Sequence, residues 1–272
     1  MSNFKFGCES YSWTMAGDKY VGDMPHICKT ISEAGLSGIE TSARMMGNYA
    51  SEPATMMDLL TKQGLELAAV GSGSAFGSRP SLTDEERTAT ERVFDWICQF
   101  PEPRLSLAHG SANRDNLLER QQNACACFNE LGRMAANRGI QCAFHPSSYP
   151  TSLFVTDGDY RTMLDELDPA VVKYCADSGH IVNGDMDIYE IFTTYASIID
   201  HVHFKDITAD KKWATMGEGV IDFPRIMKIL DDAGYNGWII FEEESPAARD
   251  DPDDATLKNG KYLEGILNPL GF

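Results

Sequence analysis

The chain has 272 residues, with 41 acidic against 23 basic side chains and a net charge of −18. A field of that sign repels a phosphate backbone, which excludes nucleic acid and anionic membrane surfaces as partners. The length suits one domain over 1–272 whose core needs neither disulfides nor structural metal.

Short apolar runs alternate with helical patterns from the first residues onward. Strand signals lie at 4–10, 37–41, 65–73 and 104–110, then at 140–146, 171–179, 198–207 and 237–244. Helical patterns fall between them at 24–35, 52–64, 83–100, 114–138, 159–167, 187–197 and 222–233, and a last one closes the chain at 255–267. Their start and stop signals are local: Pro53 and Gly64 flank the second helix, Thr83 opens the third ahead of acids in its first turn, and Asp222 and Gly234 bound the seventh. Eight strand–helix units with short, apolar, β-branched strands predict a single (β/α)8 TIM barrel rather than an open doubly wound sheet. No G-x-G-x-x-G follows the first strand, and the glycine-rich "GSGSAFG" (71–77) carries no phosphate-binding lysine, so it reads as a flexible strand–helix loop. The acidic "ARDDPDD" (248–254) reads as solvated surface.

The seven cysteines are odd in number and form no CxxC pair, so they are expected as free packing residues. The start "MSNFKFGCESYSW" lacks a charged segment followed by an apolar run, and the chain has no apolar stretch of about 18 residues. A soluble, cytoplasmic protein is expected, free to form a homo-oligomer.

In such a barrel, chemistry sits at the carboxyl ends of the strands. Those ends read Glu9, Glu40, His109, His145, Asp177, His203 with Lys205, and Glu242 with Glu244. Burying so many unpaired polar groups is costly, and a divalent cation reconciles them; Asp, Glu and His without thiolate suit Mn²⁺, Co²⁺, Mg²⁺ or Zn²⁺. Strand parity points His201, His203 and Lys205 to one face, and Ile240, Glu242 and Glu244 to another. Asp177, His203 and Glu242 then converge on one point at the mouth, with His145 opposite as ligand or base. His201, one pleat deeper, is expected to support a ligand. His180 either reaches substrate or caps the next helix, and Trp213 is either a lid or surface packing. His109 and Glu9 are further substrate-contact candidates.

The blocks "FHPSS", "CADSGHI", "HVHFKD" and "GEGVIDFPRIMKILDDAGYNGWIIFEEE" resemble, in order and spacing, the xylose-isomerase-like barrel superfamily of sugar isomerases, epimerases and keto-polyol dehydratases. Within it they look most like the inosose (2-keto-myo-inositol) dehydratase branch. The resemblance implies metal ligation by Asp177, His203 and Glu242, and substrate contact by His180. It departs on the fifth strand, where epimerases of the superfamily carry a ligand glutamate and this chain has Ala143, followed by His145. An arginine that some epimerases place six residues after the ligand histidine is replaced by Ala209, and the loop after "HFKD" is shorter than in the dehydratase branch. The expected reaction is proton loss beside the carbonyl of a keto-sugar or keto-polyol through an enediolate. With His145 or Glu242 as base and Lys205, His180 or Glu244 as acid, the asymmetric site favours a lyase. A sugar isomerase or epimerase is the alternative, and a non-catalytic metal- or sugar-binding subunit the second. A DNA-repair nuclease of the same barrel type is disfavoured by the charge.

Overall fold

A computed structural model describes residues 4–74, 76–110 and 112–271. The barrel strands are β1 (Lys5–Glu9), β2 (Gly38–Ser42), β3 (Glu66–Ser74), β4 (Arg104–His109), β5 (Gln141–His145), β6 (Lys173–Asp177) and β7 (Ile199–Phe204). A small antiparallel pair follows, β8 (Asp206–Ile207) with β9 (Trp213–Ala214), and β10 (Trp238–Phe241) completes the barrel. The order β1-β10-β7-β6-β5-β4-β3-β2 closes on itself with every barrel pair parallel. This is the (β/α)8 fold that the alternation predicts.

The helices are α1 (Tyr11–Thr14), α2 (Met24–Glu33), α3 (Ala43–Met46), α4 (Pro53–Gln63), α5 (Asp84–Ile97) and α6 (Leu117–Ala136). They continue as α7 (Asp157–Glu166), α8 (Ser178–Asn183), α9 (Ile188–Thr194), α10 (Phe223–Asp232), α11 (Pro246–Asp250) and α12 (Pro252–Tyr262). Local chemistry sets several of these ends. Thr83 with Glu86, and Thr156 with Asp159, form reciprocal capping boxes, and Asp222 accepts the Arg225 N–H. Among the described residues no helix is long and apolar enough to cross a membrane. All seven cysteines are free, Cys98 half-buried and the rest buried.

One expectation is revised. The "GSGSAFG" stretch is not a loop at its start: Gly71–Ser74 continue β3, paired with Ser106–His109 of β4. Ala75 of that stretch lies outside the described residues. The loop after "HFKD" holds the β8–β9 pair, and Asp206 draws it tight by accepting backbone N–H groups of Ile207, Gly217, Gly219 and Ile221.

The barrel interior changes character from floor to mouth. Ala68, Trp238 and Ile240 form a small apolar plug at the floor. Gly38 is required there, because a Cβ would meet the Trp238 ring at 2.3 Å. Above the plug the strands turn polar.

Candidate active site

Parity and register bring the strand ends together. Cys175 pairs with His201 and Asp177 with His203, so the sixth and seventh strands present matching levels. Ile240 pairs with His203, which puts Glu242 one pleat nearer the mouth. His145, Asp177, His203 and Glu242 offer donor atoms that all lie within 4.8 Å of one another. His145 Nε2 is 3.3 Å from Asp177 Oδ2 and 3.4 Å from Glu242 Oε2, and His203 Nδ1 is 2.8 Å from the same Glu242 oxygen. His145 was expected opposite this group; it belongs to it, because closure sets β5 beside β6.

The spacing fits a divalent cation. Ligands about 2.1 Å from one ion stand about 3.0–3.4 Å apart when adjacent. Two imidazoles and two carboxylates suit a borderline ion. Two neighbouring groups fit less well. Cys175 with His201 and His203 is the first, but burial pushes the Cys175 thiol up to about 12, whereas ligation needs a thiolate. Glu9 with Glu40 and His203 is the second. Burial, then the charges of Glu242 and Glu40, raise Glu9 well above the usual carboxylate range and hold it protonated.

Lys205 was expected to face substrate. It is 1% exposed, and its Nζ is 2.9 Å from Glu242 Oε1, 2.5 Å from Glu244 Oε1 and 3.4 Å from Asp177 Oδ2. Burial opposes its charge, but Asp177, Glu242 and Glu244 outweigh that and hold it protonated. It therefore neutralises the carboxylates from behind, meeting Glu242 at Oε1 and leaving Oε2 to the two histidines, while Asp177 Oδ2 is shared between Lys205 and His145. Burial raises Asp177, but Lys205 and His180 reverse this and keep it ionised, down to about 2. Its other oxygen, Oδ1, accepts the His180 N–H at 2.6 Å and caps α8.

His180 was expected either to cap the next helix or to reach substrate; the cap is Asp177 instead, and the His180 ring lines the cavity. Its Nδ1 accepts the Ser148 N–H, and burial followed by Lys205 pushes it down to about 3, so it is neutral. Trp213 does not line the cavity. It lies edge-on to His180 and over Lys205, 5.2 Å from the ammonium, and packs so closely that a Cβ on Gly179 would meet its ring at 2.9 Å. It braces the site from behind and is not a lid. His109 does line the cavity, held by the Phe76 carbonyl at 2.7 Å between Phe128 and Phe154.

Two residues on the wall were missed from sequence. Tyr149, in the loop after β5, donates its hydroxyl to Glu244 Oε2, and Tyr11 stands on the cavity wall nearby. Loop residues carry no periodicity, so only the closed barrel brings Tyr149 to Glu244. Glu40 had been read as a strand end without a role. Its Oε2 lies 2.6 Å from His201 Nε2 and 3.1 Å from His203 Nε2.

The cavity has a volume of about 400 Å³ and opens at this mouth. Glu9, Glu40, Glu242 and Glu244 line one side, and Ser72, Gly73, Ser106 and Ala108 the other. Among the described residues no lysine or arginine lines it.

A family model described as xylose isomerase-like TIM barrel matches residues 28–265. Inosose dehydratase of Lacticaseibacillus casei is 25% identical over 284 residues, covering 90% of this chain and 93% of the relative. Among solved structures, the probable 3-DHS dehydratase AsbF of Bacillus anthracis superposes with a TM-score of 0.74 at 16% identity, over 98% of this chain and 100% of that one. The 3-keto-D-glucoside 4-epimerase YcjR of E. coli gives 0.73 at 16% identity, over 96% and 99%. Closed barrel, strand-end site and the 28–265 match agree, and the chain belongs to the xylose isomerase-like TIM barrel family.

Proposed function

We propose that the chain is a divalent-metal-dependent lyase. It removes a proton beside the ketone of an uncharged keto-sugar or keto-polyol and expels a neighbouring hydroxyl as water. Its relatives named inosose dehydratase support that class of substrate. The absence of lysine and arginine from the described cavity wall, against four glutamates, supports an unphosphorylated one.

One observation carries the choice of elimination: the site is asymmetric. Epimerisation at one carbon needs a proton acceptor on each face. Glu242 stands on one side, but the fifth strand offers the fully buried Ala143 and then His145, whose one imidazole lone pair would be taken by an ion in the four-donor group, whereas Glu242 has a second carboxylate oxygen. Held by His145, Asp177, His203 and Glu242, a Mn²⁺ or Co²⁺ ion would polarise the ketone oxygen and offset the charge that builds on it.

The chain's own residues account for the proton transfers. Burial raises Glu242, but Lys205 and the histidines at 145 and 203 reverse this and keep it ionised, so it is free to accept the proton from carbon. Tyr149 is kept protonated by burial and by the Glu244 carboxylate. As the carbon–oxygen bond breaks, the Tyr149 hydroxyl gives its proton to the departing hydroxide, which leaves as water. The phenolate recovers a proton from solvent at the rim, where Tyr149 is 40% exposed, and Glu242 gives up the proton it took from carbon, so the site returns to its starting state.

The test is proton NMR in D₂O, using metal-reconstituted protein with keto-inositol, ketoses and 3-keto-glycosides, the ion being chelated before each spectrum. Products lacking water are the expected outcome. Deuterium beside the carbonyl with all hydroxyls retained moves the assignment to an isomerase or epimerase. No change in any substrate moves it to a binding subunit.

A further inference from the structure

We propose that Glu40 is a positioning residue of the metal site, whose carboxylate holds the Nε2 protons of both His203 and His201 and so turns His203 Nδ1 toward the cation. The inference rests on the metal-binding part of the reading above and adds a residue to it.

The argument is one of hydrogen bookkeeping. Glu40 Oε2 lies 2.6 Å from His201 Nε2 and 3.1 Å from His203 Nε2. An ionised carboxylate only accepts, so both nitrogens must carry hydrogen. His203 Nδ1 lies 2.8 Å from Glu242 Oε2, so by the same rule it also carries hydrogen in the metal-free ring; a cation held by the four-donor group would displace that proton, while Glu40 retains the one on Nε2. His201 Nδ1 is buried without a partner among the described residues, which fits a ring whose single hydrogen is on Nε2.

Geometry explains why the task falls to the second strand. Glu40 is 1% exposed and belongs to β2, whereas both histidines belong to β7, separated from it by β1 and β10. The carboxylate therefore spans the barrel interior, just above the apolar plug of Ala68, Trp238 and Ile240. A partner that accepts from the far nitrogen of a ligand histidine fixes its tautomer and ring orientation. Without one, the ring can turn over and present a protonated nitrogen to the ion.

The experiment compares wild-type protein with Glu40→Gln, both freed of metal and titrated with Co²⁺ by visible absorption. The expected result is one Co²⁺ per chain in both, bound about 10–100-fold more weakly by the variant. In parallel, ¹⁵N-histidine spectra of Zn²⁺-loaded wild-type protein report the tautomers of its six imidazoles directly. His203 and His201 should both carry hydrogen on Nε2, and this arm stands even if the variant does not fold. Affinity within about threefold of wild type, or His203 protonated on Nδ1, overturns the assignment while leaving metal binding intact. Two Co²⁺ per chain with the second lost in Glu40→Gln also overturns it, making Glu40 a ligand. A wild-type protein that binds no Co²⁺ removes the metal-binding reading and this inference together.

Discussion

The two walls of the cavity are built on different principles. On the wall from the fifth to the eighth barrel strands, every functional side chain is held by another. His145 touches Asp177 and Glu242, His203 touches Glu242 and Glu40, and Lys205 touches three carboxylates. The opposite wall, from β3 and β4, presents Ser72, Gly73, Ser106 and Ala108 with His109 at its end, and among the described residues none of these is in an ion pair. Its backbone, rather than its side chains, sets its shape. Charge pairs buried in low dielectric are costly to leave half-made, so one substitution on the first wall disturbs several neighbours. A change on the second wall alters only the room available to substrate.

Asp177→Asn should have the largest effect. The Asn can still cap α8 through the His180 N–H, so the protein should fold. Losing a charged donor and one partner of Lys205 should weaken Co²⁺ binding by more than about 100-fold and abolish turnover. Calorimetric titration with Co²⁺ and circular dichroism separate the two effects, and tight metal binding by the variant would remove Asp177 from the ligand set.

Tyr149→Phe comes next, because it leaves the ion-pair network in place and removes one hydroxyl. Water release should fall by about 100-fold with exchange of the hydrogen beside the carbonyl retained. A substrate whose leaving group is fluoride needs no proton, so it should react with wild-type and variant protein at similar rates. Equal slowing of both substrates would assign Tyr149 to structure rather than proton transfer.

Gly73→Val tests the second wall. A Cβ there meets nothing within 4 Å, and a β-branched residue suits a strand. Metal affinity and folding should be unchanged, while KM for the bulkiest substrate rises by about tenfold at constant kcat. A loss of metal would show that the walls are coupled after all.

The smallest effect is expected away from both walls, at Asp159, where the loop after β5 meets α7. Its carboxylate accepts N–H groups of Val155 and Thr156 and the side chains of Arg114 and Gln121. Burial raises its proton affinity, but these hydrogen bonds more than offset that and lower it below the usual carboxylate range. Its contribution is therefore complete above about pH 4 and fades as the pH falls through the lowered value. Asp159→Asn should cost about 1–2 kcal/mol in urea denaturation at pH 7. The gap to wild type should close on acidification, and a gap that stays constant with pH would show that the charge contributes nothing.

Much of the first wall could be read from the chain because strands alternate with period two. His203 and Glu242 were placed by parity, and Asp177 by its position at a strand end before "SGH". What could not be read is how strands distant in sequence meet. Lys205 shares parity with His203, yet it is sealed beneath the carboxylates instead of facing substrate, because Asp177, Glu242 and Glu244 come from two other strand ends that only the closed barrel brings to it. Trp213 could be read from sequence as a lid or as packing, and the pairing of β8 with β9, which presses it against His180, selects packing.

Period and punctuation within the sequence were thus enough to determine the number of strand–helix units, the barrel and the face each strand-end residue occupies, because these depend on local dihedral preference and apolar patterning. Tertiary structure alone decided that His145 joins Asp177 rather than opposing it, that Tyr149 reaches Glu244, and that Glu40 spans the barrel to two histidines. Those are distances between residues 32 to 163 positions apart, set by closure and register of the sheet. No local signal along the chain encodes them, since barrel closure is a property of all eight strands at once.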